Sequence, residues 1–212
     1  MKKQILKLLV HRNGVSPVIG VILMLVLTIL LAGITVTAVY GADAVSSLKK
    51  APMASIEVEH AEGSAASQVA YDKSFIHLVH MGGDPLDARS TRIIITGEGS
   101  AYEGVVPTGT RHNGNILISY DNLLFNGKES AYASRNPALS DGMWSAGEIL
   151  ILNGPDAISS GPASTVSVSI NEVMDTANNY GLKEDSWLTV KIFDKDTQRI
   201  ISESECLVHL PD

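Results

Sequence analysis

Two short stretches of the sequence contain residue types that ligand-binding sites use. The stretch Gly97-Glu98-Gly99-Ser100-Ala101-Tyr102 begins like the phosphate-binding pattern G-x-G-x-x-G, but it ends in tyrosine and no helical pattern follows. The stretch Asp194-Lys195-Asp196-Thr197 begins like a calcium loop, but it lacks the third carboxylate, the glycine and the distal glutamate. We interpret the first stretch as a turn and the second as a solvated hairpin.

Histidines and serines offer equally little support for catalysis. His77 and His80 lie three residues apart on a predicted strand, so their side chains point to opposite faces and cannot share a metal ion. The sequence has no G-x-S-x-G nucleophile elbow and no Asn-x-Ser/Thr sequon. We therefore expect no catalytic residue, no cofactor and no metal site. A catalytic triad assembled in space would escape this reasoning, so an enzyme stays open as an alternative.

Charge is distributed unevenly along the 212 residues, whose formal net charge is −7. Residues 1–14 have no acidic residue and contain four cations: Lys2, Lys3, Lys7 and Arg12. The rest of the chain has 12 basic residues against 23 acidic ones, and this balance argues against a nucleic-acid partner. The lone cysteine, Cys206, excludes an intrachain disulfide and is expected to be a small buried apolar residue.

Residues 13–42 contain no charged side chain. As a helix, these 30 residues would extend ~45 Å, which exceeds the ~30 Å hydrocarbon core of a bilayer. The cations before this run predict a cytoplasmic amino terminus and an extracytoplasmic remainder. The sequence therefore predicts a single-pass membrane segment covered by lipid.

The limits of this helix follow from its flanking residues. Ser16 is a suitable N-cap, and proline is well tolerated at the first helical position, so we place the start at Ser16–Pro17. We place the end near Leu48, since Pro52 prevents continuation. The chain is thus predicted to consist of a basic leader, residues 1–14, an apolar helix, residues 15–50, and a head domain, residues 51–212.

Three processing routes are compatible with such an amino terminus. A secretory signal peptide could be cut at the A-x-A-like site Ala42-Asp43-Ala44, although its apolar region is normally only ~7–15 residues long. The segment could instead remain as an uncleaved anchor. In the third route, which we favour, the leader is removed on the cytoplasmic side and the long helix becomes the mature amino terminus.

The favoured route rests on a resemblance. Residues 11–24, H-R-N-G-V-S-P-V-I-G-V-I-L-M, closely resemble the amino-terminal signature of archaeal type IV pilins. The resemblance implies cleavage between Gly14 and Val15 by a prepilin-type peptidase. It also implies assembly, through a pilus assembly platform, with copies of itself or other pilins into a surface filament used in adhesion. The alternative is an anchored binding module or minor pilin.

The resemblance is specific over roughly residues 10–42 and weaker over the head, where His80–Leu86 and Trp144–Glu148 look like turns of the family's β domain. Bacterial type IV pilins have glutamate as the fifth residue after the cut, whereas this chain has Ile19. Assembly must therefore rest on apolar contacts. Small side chains at Gly33, Thr37 and Gly41 form a stripe that could let helices pack closely.

The head shows alternating apolar and polar residues, which favour an α+β protein with an antiparallel β-sandwich-like head. The eight predicted strands are Ala54–His60, Ser74–His80, Thr91–Thr96, Asn115–Tyr120, Glu148–Leu152, Thr165–Ile170, Trp187–Phe193 and Arg199–Val208. Predicted turns are Gly82–Pro85, Asn113-Gly114, Asn126-Gly127, Asn153–Pro155 and the hairpin Asp194–Asp196. Short helices or long loops are expected at Asp121–Ser134 and Asn171–Leu182.

Overall fold

The computed structural model describes residues 17–40, 50–65, 71–104, 108–121, 123–125, 128–129, 135–156, 166–174, 176 and 179–211. The chain divides into two units, residues 1–49 and residues 50–212. The first unit contains helix α1, Pro17–Tyr40. Pro17 is its first described residue, so the predicted start at Ser16–Pro17 stays a prediction. The predicted Ser16 cap and the predicted end near Leu48 lie outside the described residues.

The second unit is built almost entirely from β-strands. Its described residues form strands β1–β13, which are Ala54–Glu62, Phe75–Gly83, Leu86–Asp87, Thr91–Glu103, Thr110–Tyr120, Leu124–Phe125, Lys128–Glu129, Met143–Trp144, Ile149–Asn153, Val166–Ile170, Gly181–Leu182, Trp187–Asp194 and Arg199–Leu207. All eight predicted strands are present, with ends displaced by up to seven residues. The five additional strands have only two residues each, too short for alternation to reveal.

Two antiparallel sheets face each other across one hydrophobic core. The smaller sheet has the order β1-β2-β9, and the larger has the order β10-β5-β4-β12-β13, with β11 paired to β4. Alternate residues of both sheets enter the same core, as in β12, where Leu188, Val190 and Ile192 are buried. This arrangement confirms the predicted α+β class with a sandwich-like head.

Serine side chains join the two sheets where strands β1 and β13 run side by side. Ile56 N–H donates to Ser202 Oγ at 3.1 Å, and the Ser202 hydroxyl donates back to the Ile56 carbonyl at 3.0 Å. Val58 N–H donates to Ser204 Oγ at 3.2 Å. Hydroxyls thus satisfy backbone groups of β1 that a neighbouring strand would otherwise pair.

A buried amide protects the outer edge of β9. Asn136 Nδ2 donates to the Ile151 carbonyl at 2.8 Å, and Ile151 N–H donates to Asn136 Oδ1 at 2.7 Å. The Asn136 side chain is held in place at 1% exposure, immediately before the short 3-10 helix Pro137–Leu139. One side chain therefore supplies the donor and the acceptor that an added strand would offer at this position.

Two turn predictions are wrong. Gly97–Tyr102 lies within β4, and Asn113-Gly114 lies within β5, where Gly99 and Gly114 are paired. A Cβ on Gly99 would lie 2.3 Å from the Gly181 carbonyl oxygen, and one on Gly114 would lie 2.2 Å from Asn171 Oδ1. Glycine is needed at both positions because another segment of the chain packs closely against the strand, and not because the chain reverses direction there.

The remaining turn predictions are mostly confirmed. The chain bends at Asp84 after β2, but Gly82 and Gly83 are the last residues of β2 and pair with Ser55 and Ala54 of β1. A turn begins at Gly154 after β9, and the hairpin Asp194–Asp196 joins β12 to β13. Asn126-Gly127 lies outside the described residues, between the paired strands β6 and β7. The described parts of Asp121–Ser134 and Asn171–Leu182 form turns, bridges and short strands, without a helix.

Candidate assembly helix and head surfaces

Helix α1 is apolar around its whole circumference. Its large apolar side chains are between 48% and 70% exposed within the chain, and Pro17–Thr37 has a mean hydropathy of 2.8. By length and composition these 21 residues can cross a membrane. A helix that is apolar on all sides needs an apolar environment around it, because an amphipathic surface helix would keep one polar face. The helix therefore fits membrane anchoring.

The threonine hydroxyl groups of α1 are satisfied inside the helix. Thr28 donates to the Leu25 carbonyl at 2.9 Å, Thr35 donates to Leu31 at 2.9 Å, and Thr37 donates to the Gly33 carbonyl at 3.0 Å. Such bonds to carbonyls three or four residues earlier remove the need for water. The helix can consequently be covered by lipid or by other helices without leaving these hydroxyls unpaired.

Two members of the predicted packing stripe lie in the described part of the helix. Gly33 and Thr37 are one turn apart on the same face, and a Cβ on Gly33 would meet no atom within 4 Å. Among the described residues, no contact therefore requires glycine at this position. Gly41, the third member of the stripe, and the predicted processing site Gly14–Val15 lie outside the described residues.

The two head stretches that carry the weaker resemblance pack against each other. The His80 and Trp144 rings meet edge to face with centroids 5.8 Å apart, and Leu86 pairs with Trp144 between β3 and β8. His80 N–H donates to the Glu148 carbonyl at 3.0 Å, while Gly147 N–H donates to the His80 carbonyl at 2.7 Å. His80 is completely buried, so the two stretches form one structural corner of the head.

Histidines also meet on the outer surface of the smaller sheet. The His60 ring centroid lies 6.1 Å from that of His77 and 6.2 Å from that of His209, and His60 Nε2 lies 2.7 Å from Glu62 Oε1. His77 and His80 do occupy opposite faces of β2, as predicted. Within the described ranges, no three His, Cys, Asp or Glu side chains are placed to hold a metal ion.

Sequence reasoning missed a buried polar cluster around Asp156. Its Oδ2 accepts the Tyr120 hydroxyl at 2.7 Å and Asn153 N–H at 2.8 Å, while the Arg135 guanidinium contacts Oδ1. Because Tyr120 donates to Asp156, its oxygen accepts the Tyr180 hydroxyl, 2.8 Å away. The cluster links β5, the turn after β9 and the segment before β11. No local sequence pattern predicts this cluster, because its members are far apart in the sequence.

Burial controls the protonation of this cluster. Burial raises the pKa of Asp156 above its ordinary value, although Asn153 N–H, the Tyr120 hydroxyl and the Arg135 charge each lower it. Burial, with the neighbouring Tyr180 and Asp156, raises the pKa of Tyr120 well above its usual range. Burial likewise raises the pKa of Tyr180. Both phenols are therefore neutral hydrogen-bond donors at physiological pH.

The raised pKa of Asp156 predicts how stability depends on pH. A group whose pKa is higher in the folded state contributes stability below its unfolded pKa and loses it as pH rises through the folded value. The free energy of unfolding of the wild type, minus that of Asp156→Asn, should therefore fall as pH rises above about 4, the ordinary pKa of an aspartate. Denaturant titrations of both full-length proteins in detergent, followed by tryptophan fluorescence, measure this difference. A difference that grows with pH would contradict the assignment.

Cys206 is half-buried on β13, opposite Leu188 of β12, and packs against the core. Burial raises the pKa of its thiol to about 11. The thiolate, which is the reactive form, is then scarce near neutral pH. This agrees with the expected packing role.

The match to a protein family concerns the amino-terminal part of the chain. Residues 13–56 match the family model described as archaeal type IV pilin, N-terminal. An uncharacterized protein of Archaeoglobus fulgidus is 38% identical over 86 residues, which are 41% of this chain and 54% of that protein. The chain thus spans about half the length of that relative. The family match includes all of α1 and the first residues of β1.

Proposed function

We propose that this chain, whose residues 13–56 match the amino-terminal family model of the archaeal type IV pilins, is a structural subunit of a surface filament. That family is structural rather than enzymatic. The observation that carries the proposal is the position of the family match on α1, whose whole circumference is apolar. A filament of such helices would cover this surface, and the β-rich heads would form its exterior.

The same helix can serve in two environments in succession. Before assembly, lipid covers α1 and the head lies outside the membrane, with the basic leader on the cytoplasmic side. Cleavage between Gly14 and Val15 by a prepilin-type peptidase then removes Lys2, Lys3, Lys7 and Arg12. In the filament, neighbouring helices replace lipid as the apolar surroundings. An assembly platform would carry out this transfer, and the exposed heads would provide surface adhesion.

Labelling of surface filaments tests the proposal. A cell carrying a head-tagged copy in place of the native chain should show antibody label distributed along surface filaments by electron microscopy. Deletion of the gene for this chain should remove the labelled type of filament from the cell surface. Label confined to the cell envelope, together with unchanged filaments in the deletion strain, would instead support the anchored binding module.

A further inference from the structure

A shallow cleft of about 1050 Å³ crosses the outer face of the larger sheet. We call it the acidic cleft and define it by Glu98, Leu117, Glu172, Met174, Asp185 and Trp187. Its base is one row of paired residues from four adjacent strands, Ser169, Leu117, Thr96 and Thr189. Trp187 and Met174 are 66% and 75% exposed. The cleft therefore offers a substantial apolar surface to a partner.

Two carboxylates of this cleft carry uncompensated charge. Glu98 forms an ion pair with Lys183, another cleft residue. Neither Glu172 nor Asp185 forms an ion pair or a side-chain hydrogen bond with any residue that the structure describes. The lining thus has three acidic residues against one basic residue, a net charge of −2.

A second exposed surface has the opposite character. We call it the basic patch and define it by Lys50, Met53, Arg199 and Ile200, which lie around a depression of about 540 Å³. Met53 and Ile200 are 67% and 51% exposed. Lys50 and Arg199 make no ion pair with a carboxylate in the described chain, so the lining has a net charge of +2. The nearby Asp84 carboxylate accepts Met53 N–H at 3.0 Å.

The two surfaces lie at opposite ends of one hairpin. Strand β12 begins at Trp187, in the cleft, and ends at Asp194, which pairs with Arg199 of the patch. Seven residue steps along a strand separate these ends by ~23 Å. Two different complementary surfaces on one subunit produce head-to-tail contacts, which extend indefinitely when the rotation between copies does not close a ring.

We propose that the basic patch of one copy docks in the acidic cleft of the next copy. The charges balance, and exposed apolar side chains on each surface, Met53 and Ile200 against Trp187 and Met174, would be covered together. The partner is a second copy because both halves of the contact are present on the same chain. This inference rests on the proposed function and adds to it a specific contact between heads, separate from helix packing.

Charge exchange in the full-length chain tests the contact. The cleft variant Glu172→Lys with Asp185→Lys places like charges against the patch, and filament mass per cell should fall at least ~10-fold. The patch variant Lys50→Glu with Arg199→Glu should show the same loss. The variant with all four changes restores opposite charges across the contact and should recover filaments. That recovery also shows that the reversed side chains do not prevent folding.

A matched control separates the contact from the effect of total charge. Glu57→Lys with Glu59→Lys changes the net charge by the same amount as the cleft variant, at exposed positions of β1, and should leave filaments intact. If the wild-type chain forms filaments and the cleft variant and the patch variant form them equally well, the contact is overturned and the proposed function is not. Failure of the four-change variant to recover would overturn the contact as well. Absence of the wild-type chain from filaments would overturn both this inference and the proposed function.

Discussion

A chain carrying Gly14→Leu is expected to accumulate with its basic leader still attached, whereas the wild-type chain should begin at Val15. Signal cleavage sites need small residues because the peptidase must approach the scissile bond closely. Leucine at this position would obstruct that approach while leaving the basic leader and the apolar run unchanged. Intact-mass analysis of membrane-extracted protein distinguishes the two forms.

Loss of cleavage should also abolish assembly. The uncut chain keeps Lys2, Lys3, Lys7 and Arg12 next to the apolar helix, and burying such cations in apolar surroundings is costly. We therefore expect the variant in membranes and no label on filaments. A wild-type start at Val45 would establish the secretory signal peptide instead, and an intact Met1 in the wild type would establish the plain anchor.

A chain carrying Gly33→Leu is expected to be inserted and processed normally but to form few or no filaments. Leucine keeps α1 apolar and favours helix more than glycine does. A Cβ at this position meets no atom within 4 Å in the single chain, so the helix itself should be undisturbed. In a close-packed filament, the added side chain would displace a neighbour and weaken dispersion contacts.

The expected loss of filaments is large because the same weakened helix contact is repeated at every subunit. A loss of ~1 kcal/mol corresponds to about fivefold in each association step, and the loss recurs at every subunit. Ala32→Leu is the matched control because it enlarges an exposed small residue about 100° away around the helix. Electron microscopy should show filaments for this control and not for Gly33→Leu. Equal filament numbers in both variants would show that the stripe is not the packing face.

The two glycine variants also control each other. Gly14→Leu and Gly33→Leu introduce the same side chain, yet the first should stop processing and the second should stop only assembly. An unprocessed Gly33→Leu chain would indicate a general defect in membrane insertion. A processed Gly14→Leu chain would remove the reason for placing the cut at this residue.

Local patterns were sufficient to predict the helix and the eight longer strands. The charge-free run of residues 13–42, with Pro17 near its start, predicted α1, because both features are read from one continuous stretch of sequence. Alternation predicted the eight longer strands for the same reason, as in β10, where Val166, Val168 and Ile170 are buried. The hairpin between β12 and β13 followed from the polar sequence Asp194-Lys195-Asp196.

The errors and omissions come from contacts between distant residues. Gly99 and Gly114 looked like turn residues because the segments that approach them, at Gly181 and Asn171, are far away in the sequence. The acidic cleft, the basic patch and the Asp156 cluster were missed for the same reason. Such arrangements depend on strand order, which neighbouring residues do not encode.

The amide of Asn136 has a consequence for the polymer. A filament would hold its heads at a local concentration far above that of free subunits, so any open strand edge would meet many identical edges. Pairing between those edges would join subunits through backbone bonds that recognise no particular side chain, and growth could branch or stop. Asn136 binds the N–H and the carbonyl of Ile151 within its own chain. These two groups on the outer edge of β9 are then not free to pair with a strand of a neighbouring subunit. Fidelity of polymer growth would then depend partly on a side chain that contacts no other subunit.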